Sequence, residues 1–187
     1  MGNNINEKSQ FGQEADFNPA DIDRTIPDSA YIEMAKLVTA WAKLDALTSQ
    51  LLYQIVGIPY DMGEILLERM GITGKQSRIM EITGHYGNKE LKQMQSEILA
   101  MINTHYLVRN TICHSEYIGV SIQAHPGSLA FIKSYLIKGH PGRMKVVYFP
   151  IETIRAITKF AVNASDALPA FLAGIAAIQE ATRLKTL

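Results

Sequence analysis

Apolar residues recur at spacings of three and four along the first third of the chain, which is the period of an amphipathic helix. Pro27 and Asp28 provide a helix start, while Gly57 and Pro59 provide a stop. The positions on the predicted inner side are Tyr31, Met34, Val38, Trp41, Asp45, Thr48, Leu52 and Ile55. We therefore expect a helix from residue 28 to about residue 56 with one acid, Asp45, on its apolar side.

Three more helices are predicted before the pattern changes. A short one covers about 61–70, and a second covers about 74–86, with Ile79 inward and Lys75 outward. The third is long, about 89–115, with a stripe of Leu91, Met94, Ile98, Met101, His105, Val108 and Ile112. A last helical period runs from Ile151 to about residue 184, where Pro169 is expected to break or kink the helix.

Residues 117–149 have a different composition, rich in β-branched and aromatic side chains. The segments 117–123, 128–137 and 143–149 are separated by two His-Pro-Gly sequences, at 125–127 and 140–142, which suit tight turns. They predict a three-stranded antiparallel meander. The fold class is therefore mainly α, with a small antiparallel β insert at about 117–149 inside a single domain spanning 28–187. The preceding residues, 1–27, are polar and aperiodic, and predict a flexible tail.

Charge and cysteine content narrow the function classes. The 187 residues carry a formal net charge of zero, so any nucleic acid would have to meet a local basic patch. A single cysteine, Cys113, excludes an internal disulfide and suits a reducing compartment. The first residues have no signal-peptide pattern, and the apolar run 167–178 is short for a membrane span. We expect a cytoplasmic protein without a membrane partner.

One stretch, Leu107–Tyr117, carries three side chains that are costly to bury unpaired: Arg109, Asn110 and His114. On an ideal helix Asn110 and His114 point within about 40° of each other, whereas Arg109 and His114 point about 140° apart. His114 thus faces away from the core stripe. Arg109 and His114 could converge if the helix loosens, if the Arg109 stem bends, or if a second copy of the chain lies alongside.

The Arg109–Asn110–His114 spacing resembles the signature of HEPN domains, which are small helical domains of prokaryotic toxins, anti-phage systems and RNA-processing nucleases. The long first helix with an acid in its stripe, the intermediate helices and the last helix also resemble this family. The resemblance covers roughly residues 30–184. The β insert departs from its simplest all-helical members. The resemblance implies metal-independent RNA cleavage without a cofactor, in a cleft formed by a homodimer.

The resemblance implies that His114 transfers a proton and that Arg109 holds the phosphate. Asn110 would be a positioning residue, and Asp45 would orient Arg109 from the first helix. A structural interpretation stands beside it, in which Arg109 is only a partner for Asp45 and His114 is only a cap for its helix. The alternative functions are a non-catalytic interaction module, for example an inactive relative or an antitoxin-like partner binder, and a nucleotide-binding partner of a nucleotidyltransferase. No metal-ligand cluster is apparent, and His105 reads as a core or interface histidine.

Overall fold

The computed structural model describes residues 12–67, 69–85, 89–134 and 144–185. Within these ranges the chain is mainly helical, with a small antiparallel sheet, as the sequence predicts. The helices are α1 (Asp28–Val56), α2 (Tyr60–Leu67), α3 (Ile72–Gly84), α4 (Lys89–His114) and α5 (Ile151–Lys185). The strands are β1 (Gln13–Asp16), β2 (Ile22–Asp23), β3 (Glu116–Ser121), β4 (Leu129–Ser134) and β5 (Met144–Phe149).

The helix boundaries follow the sequence signals closely. Helix α1 stops at Val56, and Gly57 takes a positive φ of 73°, which glycine adopts without strain. Helix α4 ends at His114, one residue before the expected end. Helix α5 continues through Pro169, so the predicted break does not occur.

The predicted meander is confirmed as β3–β4–β5, but the sheet has two more strands. Its order is β1-β5-β4-β3-β2, and every neighbouring pair is antiparallel. Both edge strands come from residues that the sequence assigned to a flexible tail, and that prediction is wrong for residues 13–23. Residues 1–11 and the second His-Pro-Gly turn, 140–142, lie outside the described residues.

Residues 13–23 form what we call the N-terminal strap. Because β1 and β2 lie at opposite edges, the residues between them cross one face of the sheet. Phe17 and Ile22 pack there on the cluster of Ala130, Val146 and Tyr148. A short 3-10 helix, Pro19–Asp21, shortens the crossing, and the Asn18 side chain caps it. The strap thus covers edges that would otherwise present unpaired backbone groups.

The strap is fixed at its centre by one buried acid. Asp21 is only 2% exposed, and its carboxylate accepts hydrogen bonds from the Ser121 hydroxyl (2.9 Å) and from the Gln123 and Ala124 amides (2.6 and 2.9 Å). At the β2 end, Gly119 has a φ of 137°, and a Cβ there would collide with the Asp23 carbonyl oxygen. Close pairing of β2 with β3 therefore requires glycine at this position.

Contacts divide the chain into two compact units, where the sequence predicted one domain. The sheet unit takes in the described residues up to Thr39 and Thr104–Lys159, and the helical unit takes in Ala40–Asn103 and the described residues from Phe160 onward. In the sheet unit, the rings of Tyr31, Tyr117, Phe131 and Phe149 form a continuous row of contacts on the second sheet face.

The core of the helical unit is aliphatic around one tryptophan. Trp41 is 2% exposed and contacts the Phe160 ring, with centroids 6.4 Å apart. Its fully buried neighbours in the same unit include Leu44, Ile79, Ile102 and Ile175. Interior packing of this kind dominates the stability of a helical unit.

Helix α5 contains a stretch, Ile151–Ala177, that is long and apolar enough to cross a membrane by length and composition. The apolar run 167–178 is only part of this stretch, so its length alone did not indicate a possible membrane span. One side of the helix is buried in the protein, through Ile154, Ile157, Ala161, Leu168, Phe171 and Ile175. That spacing of three, four and seven is the pattern of a helix packed against a protein core.

Candidate functional site

The three candidate residues all lie in the last two turns of α4. Buried Val108 and Thr111 hold this part of the helix, and the Thr111 hydroxyl donates to the Leu107 carbonyl at 2.9 Å. Between them, Arg109 and Asn110 are half-buried, and the Arg109 guanidinium donates from Nη1 to the Asn110 side-chain oxygen at 2.9 Å. Asn110 therefore sets the orientation of the guanidinium, as a positioning residue would.

His114 is exposed and is the last residue of α4. Among the residues that the structure describes, no hydrogen bond or ion pair joins it to Arg109 or Asn110. It shares the exposed side of the helix with Leu107 and Asn103, about two and three turns earlier. The structure thus brings Arg109 and Asn110 together, and leaves the His114 imidazole open to a substrate or to another chain.

The Arg109 guanidinium is not fully satisfied. Its Nε atom is buried, and it has no hydrogen-bond partner among the described residues. A buried donor without an acceptor costs about 1–3 kcal/mol. A modest rotation of the long side chain toward an anion would relieve this cost, and phosphate oxygens match the forked geometry of a guanidinium.

His105 lies one helical turn before Arg109 and is half-buried. Burial lowers the pKa of His105, because removal from water disfavours the charged imidazolium. A neutral imidazole adds no like charge near the Arg109 guanidinium. His105 therefore fits the packing role that the sequence predicted for it better than the role of a second base.

Asp45 is placed differently from the expectation. Its carboxylate lies 2.8 Å from the Lys75 ammonium, with which it forms an ion pair inside the helical unit. Lys75, expected to point outward, is 7% exposed, on the same side of α3 as Ile72 and Ile79. The unpaired burial that motivated a contact of Asp45 with Arg109 is thereby removed.

The remaining candidates offer little chemistry. Cys113 is a partly exposed free thiol. The His125 ring packs on Tyr148, with centroids 4.6 Å apart, and His140 lies outside the described ranges. Lys145, in the basic part of the β insert, forms an ion pair with Glu14 of the strap at 3.6 Å. Within the described part of the chain, no group of three or more His, Cys, Asp or Glu side chains is placed to hold a metal ion.

The sequence did not predict two buried charged residues: Asp21, which anchors the strap, and Lys75, which pairs with Asp45. Asp21 sits in a polar, aperiodic segment, so nothing local indicated burial. Lys75 did carry a signal, because it occurs three residues after Ile72 and four before Ile79, on the buried side of α3. An acid in the stripe of one helix and a base in the stripe of another predict an ion pair.

Comparison with protein-family models, with curated proteins and with solved structures finds no match to this chain. The resemblance to HEPN domains therefore depends on the Arg109–Asn110–His114 motif and on its place at the end of a long helix.

Proposed function

We propose that this protein is an endoribonuclease of HEPN type that cleaves RNA without a metal ion or cofactor, in the cytoplasm, as a toxin or an anti-phage effector. The observation that carries the proposal is the end of α4. There a guanidinium oriented by Asn110 and an exposed imidazole at His114 lie within two helical turns. Phosphodiester cleavage needs both kinds of group. The Arg109 Nε has no hydrogen-bond partner among the described residues, and the His114 side chain is exposed, so both remain available to a substrate.

The chemistry follows from the substrate. The RNA 2′-hydroxyl attacks the adjacent phosphorus as its proton leaves to a base, and the bond from phosphorus to the 5′-oxygen breaks as that oxygen gains a proton. His114 serves as the proton-transfer group, since imidazole exchanges protons near neutral pH. Arg109 binds the phosphate oxygens and stabilises the added negative charge of the transition state. The products are a 2′,3′-cyclic phosphate and a 5′-hydroxyl.

The active form is a homodimer in this proposal. His114, Asn103 and Leu107 occupy the outer side of α4, and Leu107 is 52% exposed although it is apolar. Two copies that pair their α4 ends would bury Leu107 and bring two Arg109–His114 sets to one cleft. In such a dimer Arg109 of one chain could act with His114 of the other, although the two side chains point in different directions on a single helix.

One observation favours a second candidate, a non-catalytic RNA-binding or protein-binding module. Arg109 donates to Asn110, while no described contact joins His114 to either of them. A basic side chain held in this way binds an anion without any proton transfer. A partner such as an antitoxin or a nucleotidyltransferase would then occupy the same end of α4.

Cleavage of structured and unstructured RNAs in EDTA, with analysis of the product ends, tests the proposal. The wild-type protein should yield 2′,3′-cyclic phosphate or its hydrolysed form beside 5′-hydroxyl ends. His114→Ala should lower the rate by about 100-fold or more, as expected for loss of a general acid or base. Arg109→Lys should lower it strongly as well, because an ammonium cannot reproduce the forked contact.

His85→Ala is the matched control, since His85 is also an exposed histidine at the end of a helix, α3. It should cut RNA at the wild-type rate. Equal cleavage by His114→Ala and wild type would refute the site assignment. Binding of RNA without cleavage by the wild-type protein would support the non-catalytic module instead.

A further inference from the structure

Helix α2 reverses the usual arrangement of a surface helix, because polar contacts lie on its inner side and apolar side chains lie on its outer side. Its inner side carries Gly63, which is buried against the Tyr53 ring so closely that a Cβ would collide with that ring. The same side carries Glu64, whose carboxylate accepts a hydrogen bond from the Tyr53 hydroxyl at 2.7 Å. The Tyr60 ring adds an edge contact to Tyr53, with centroids 5.6 Å apart. Helix α2 is thus held to α1 by a glycine and polar contacts.

The outer side of α2 is apolar. Met62, Ile65 and Leu66, at spacings of three and four, are 49%, 72% and 64% exposed. Amphipathic surface helices place such a stripe toward the core. A contiguous apolar stripe left in water by an element that is otherwise fixed marks an interaction surface more often than an isolated exposed leucine does.

The charges at the two ends of this stripe are complementary. Asp61 and Arg69 are exposed and lie four residues before and after Ile65. The structure assigns neither of them an ion pair with another described residue. Asp61 lies about 6 Å along α2 before Ile65, and Arg69 lies in the turn that follows the end of α2 at Leu67. In an antiparallel pair of α2 helices centred on Ile65, each Asp61 would face the end of the other copy's α2, which Arg69 follows.

We propose that the outer side of α2, formed by Asp61, Met62, Ile65 and Leu66, together with Arg69 in the turn after it, is a self-association surface that binds a second copy of the same chain about a two-fold axis at Ile65. The interface is isologous, because each copy supplies the same acid, apolar stripe and base. It uses residues of the helical unit and none of Arg109, Asn110 and His114, so it goes beyond the proposed nuclease site.

The area of this surface determines how tightly two copies are expected to bind. Stable protein interfaces bury about 1,200–2,000 Å² in total, and a stripe on an eight-residue helix supplies less than that. We therefore expect a weak contact that forms at about 10–100 µM and contributes more when a second interface already joins the chains.

Light scattering across that range of concentration, with Ile65→Glu beside the wild type, is the first measurement. Ile65 is mostly in water, so the substitution leaves the fold intact while placing two carboxylates on the axis. At high concentration the average mass of the wild type should exceed that of Ile65→Glu by up to two-fold, since a contact of this strength is only partly formed in this range. Ile122→Glu is the matched control, because Ile122 is an isoleucine 52% exposed in the sheet unit, and its mass should equal the wild-type value. A wild-type mass that Ile65→Glu does not change would overturn the proposal.

Disulfide trapping locates the contact. In a Cys113→Ser background, Ile65→Cys should form a disulfide-linked dimer under mild oxidation, since residues on a two-fold axis approach each other within the reach of a disulfide. Ile122→Cys in the same background should stay monomeric on a non-reducing gel. Equal linkage of the two variants, or none for Ile65→Cys, would show that α2 does not pair in this way.

Discussion

At the scale of the residue, the pair of Lys75 and Asp45 shows how a charge is kept inside the helical unit. The Lys75 side chain is 9% exposed, the Asp45 side chain 41%, and their charged atoms are 2.8 Å apart. The two partners therefore differ in what happens when the other is removed. Asp45 can be hydrated without Lys75, whereas the Lys75 ammonium has little access to water without Asp45.

Asp45→Ala should consequently lower the free energy of unfolding by about 2 kcal/mol, and Lys75→Met should lower it by less. The double variant Asp45→Ala/Lys75→Met should be more stable than Asp45→Ala alone, because no buried charge remains. Urea unfolding of the four proteins at neutral pH measures these differences. An Asp45→Ala protein as stable as the wild type would mean that the ion pair contributes nothing.

The same pair shows which properties of a single residue can be predicted from the sequence and which cannot. The stripe of α1 identified Asp45 as an acid that needs a partner. The choice of Arg109 as that partner was not supported, because periodicity places a residue on one side of its own helix and does not say which helix lies opposite. Arg109, Asn110 and His114 were placed correctly on α4, since the directions of side chains along a regular helix follow from its period alone.

At the scale of the element, the N-terminal strap depends on Asp21. Burial by itself raises the pKa of Asp21, but hydrogen bonds from the Ala124 and Gln123 amides, the Ser121 hydroxyl and the Tyr148 hydroxyl outweigh burial, and the pKa lies below its ordinary value of 3.8. A lowered pKa in the folded state means that ionised Asp21 stabilises the fold above pH 3.8. This stabilisation is lost as the pH falls through the lower, folded-state pKa.

Replacing Asp21 by Asn tests this role. At pH 7, Asp21→Asn should be less stable than the wild type by about 2 kcal/mol, since hydrogen bonds to a charged acceptor are lost. As the pH falls below 3.8, the difference between the two proteins should shrink, because the wild-type carboxyl becomes neutral too. Denaturant unfolding at a series of pH values gives both curves. A difference that stays constant down to pH 2 would show that Asp21 does not act through its charge.

The strap is also the element that the sequence predicts least well. Strands β1 and β2 have four and two residues, too few for an alternating pattern to stand out. Their partner strands lie roughly 100 positions later in the chain for β2 and roughly 130 positions later for β1. The meander itself was predictable, because each of its strands has six residues rich in β-branched and aromatic side chains between turn sequences.

At the scale of the whole molecule, the proposed nuclease requires two copies paired through the ends of α4. Leu107 is on the outer side of that helix and does not belong to the proposed chemistry. Leu107→Glu should therefore disrupt this pairing and lower RNA cleavage by about 10-fold or more, while Arg109 and His114 stay unchanged. Ile32→Glu, another exposed apolar position in the sheet unit, is the matched control and should retain activity.

Sedimentation velocity and the RNA cleavage assay on the same samples decide the outcome. Loss of cleavage together with a smaller sedimenting species supports a composite cleft. Full cleavage by a Leu107→Glu protein that no longer pairs through α4 would mean that one chain contains a complete site.

The strap has a consequence for the order of events during synthesis. Asp21 and Ser121 are 100 residues apart in the chain, so the strap leaves the ribosome long before its binding partners exist. At roughly 5–20 residues per second, the interval is about 5–20 seconds. Throughout that interval the strap has no sheet to join, and the meander, once made, has two open edges until the strap returns. A nascent chain is therefore most exposed to a chaperone, or to wrong pairing with a neighbouring nascent chain, in the moments after β5 emerges.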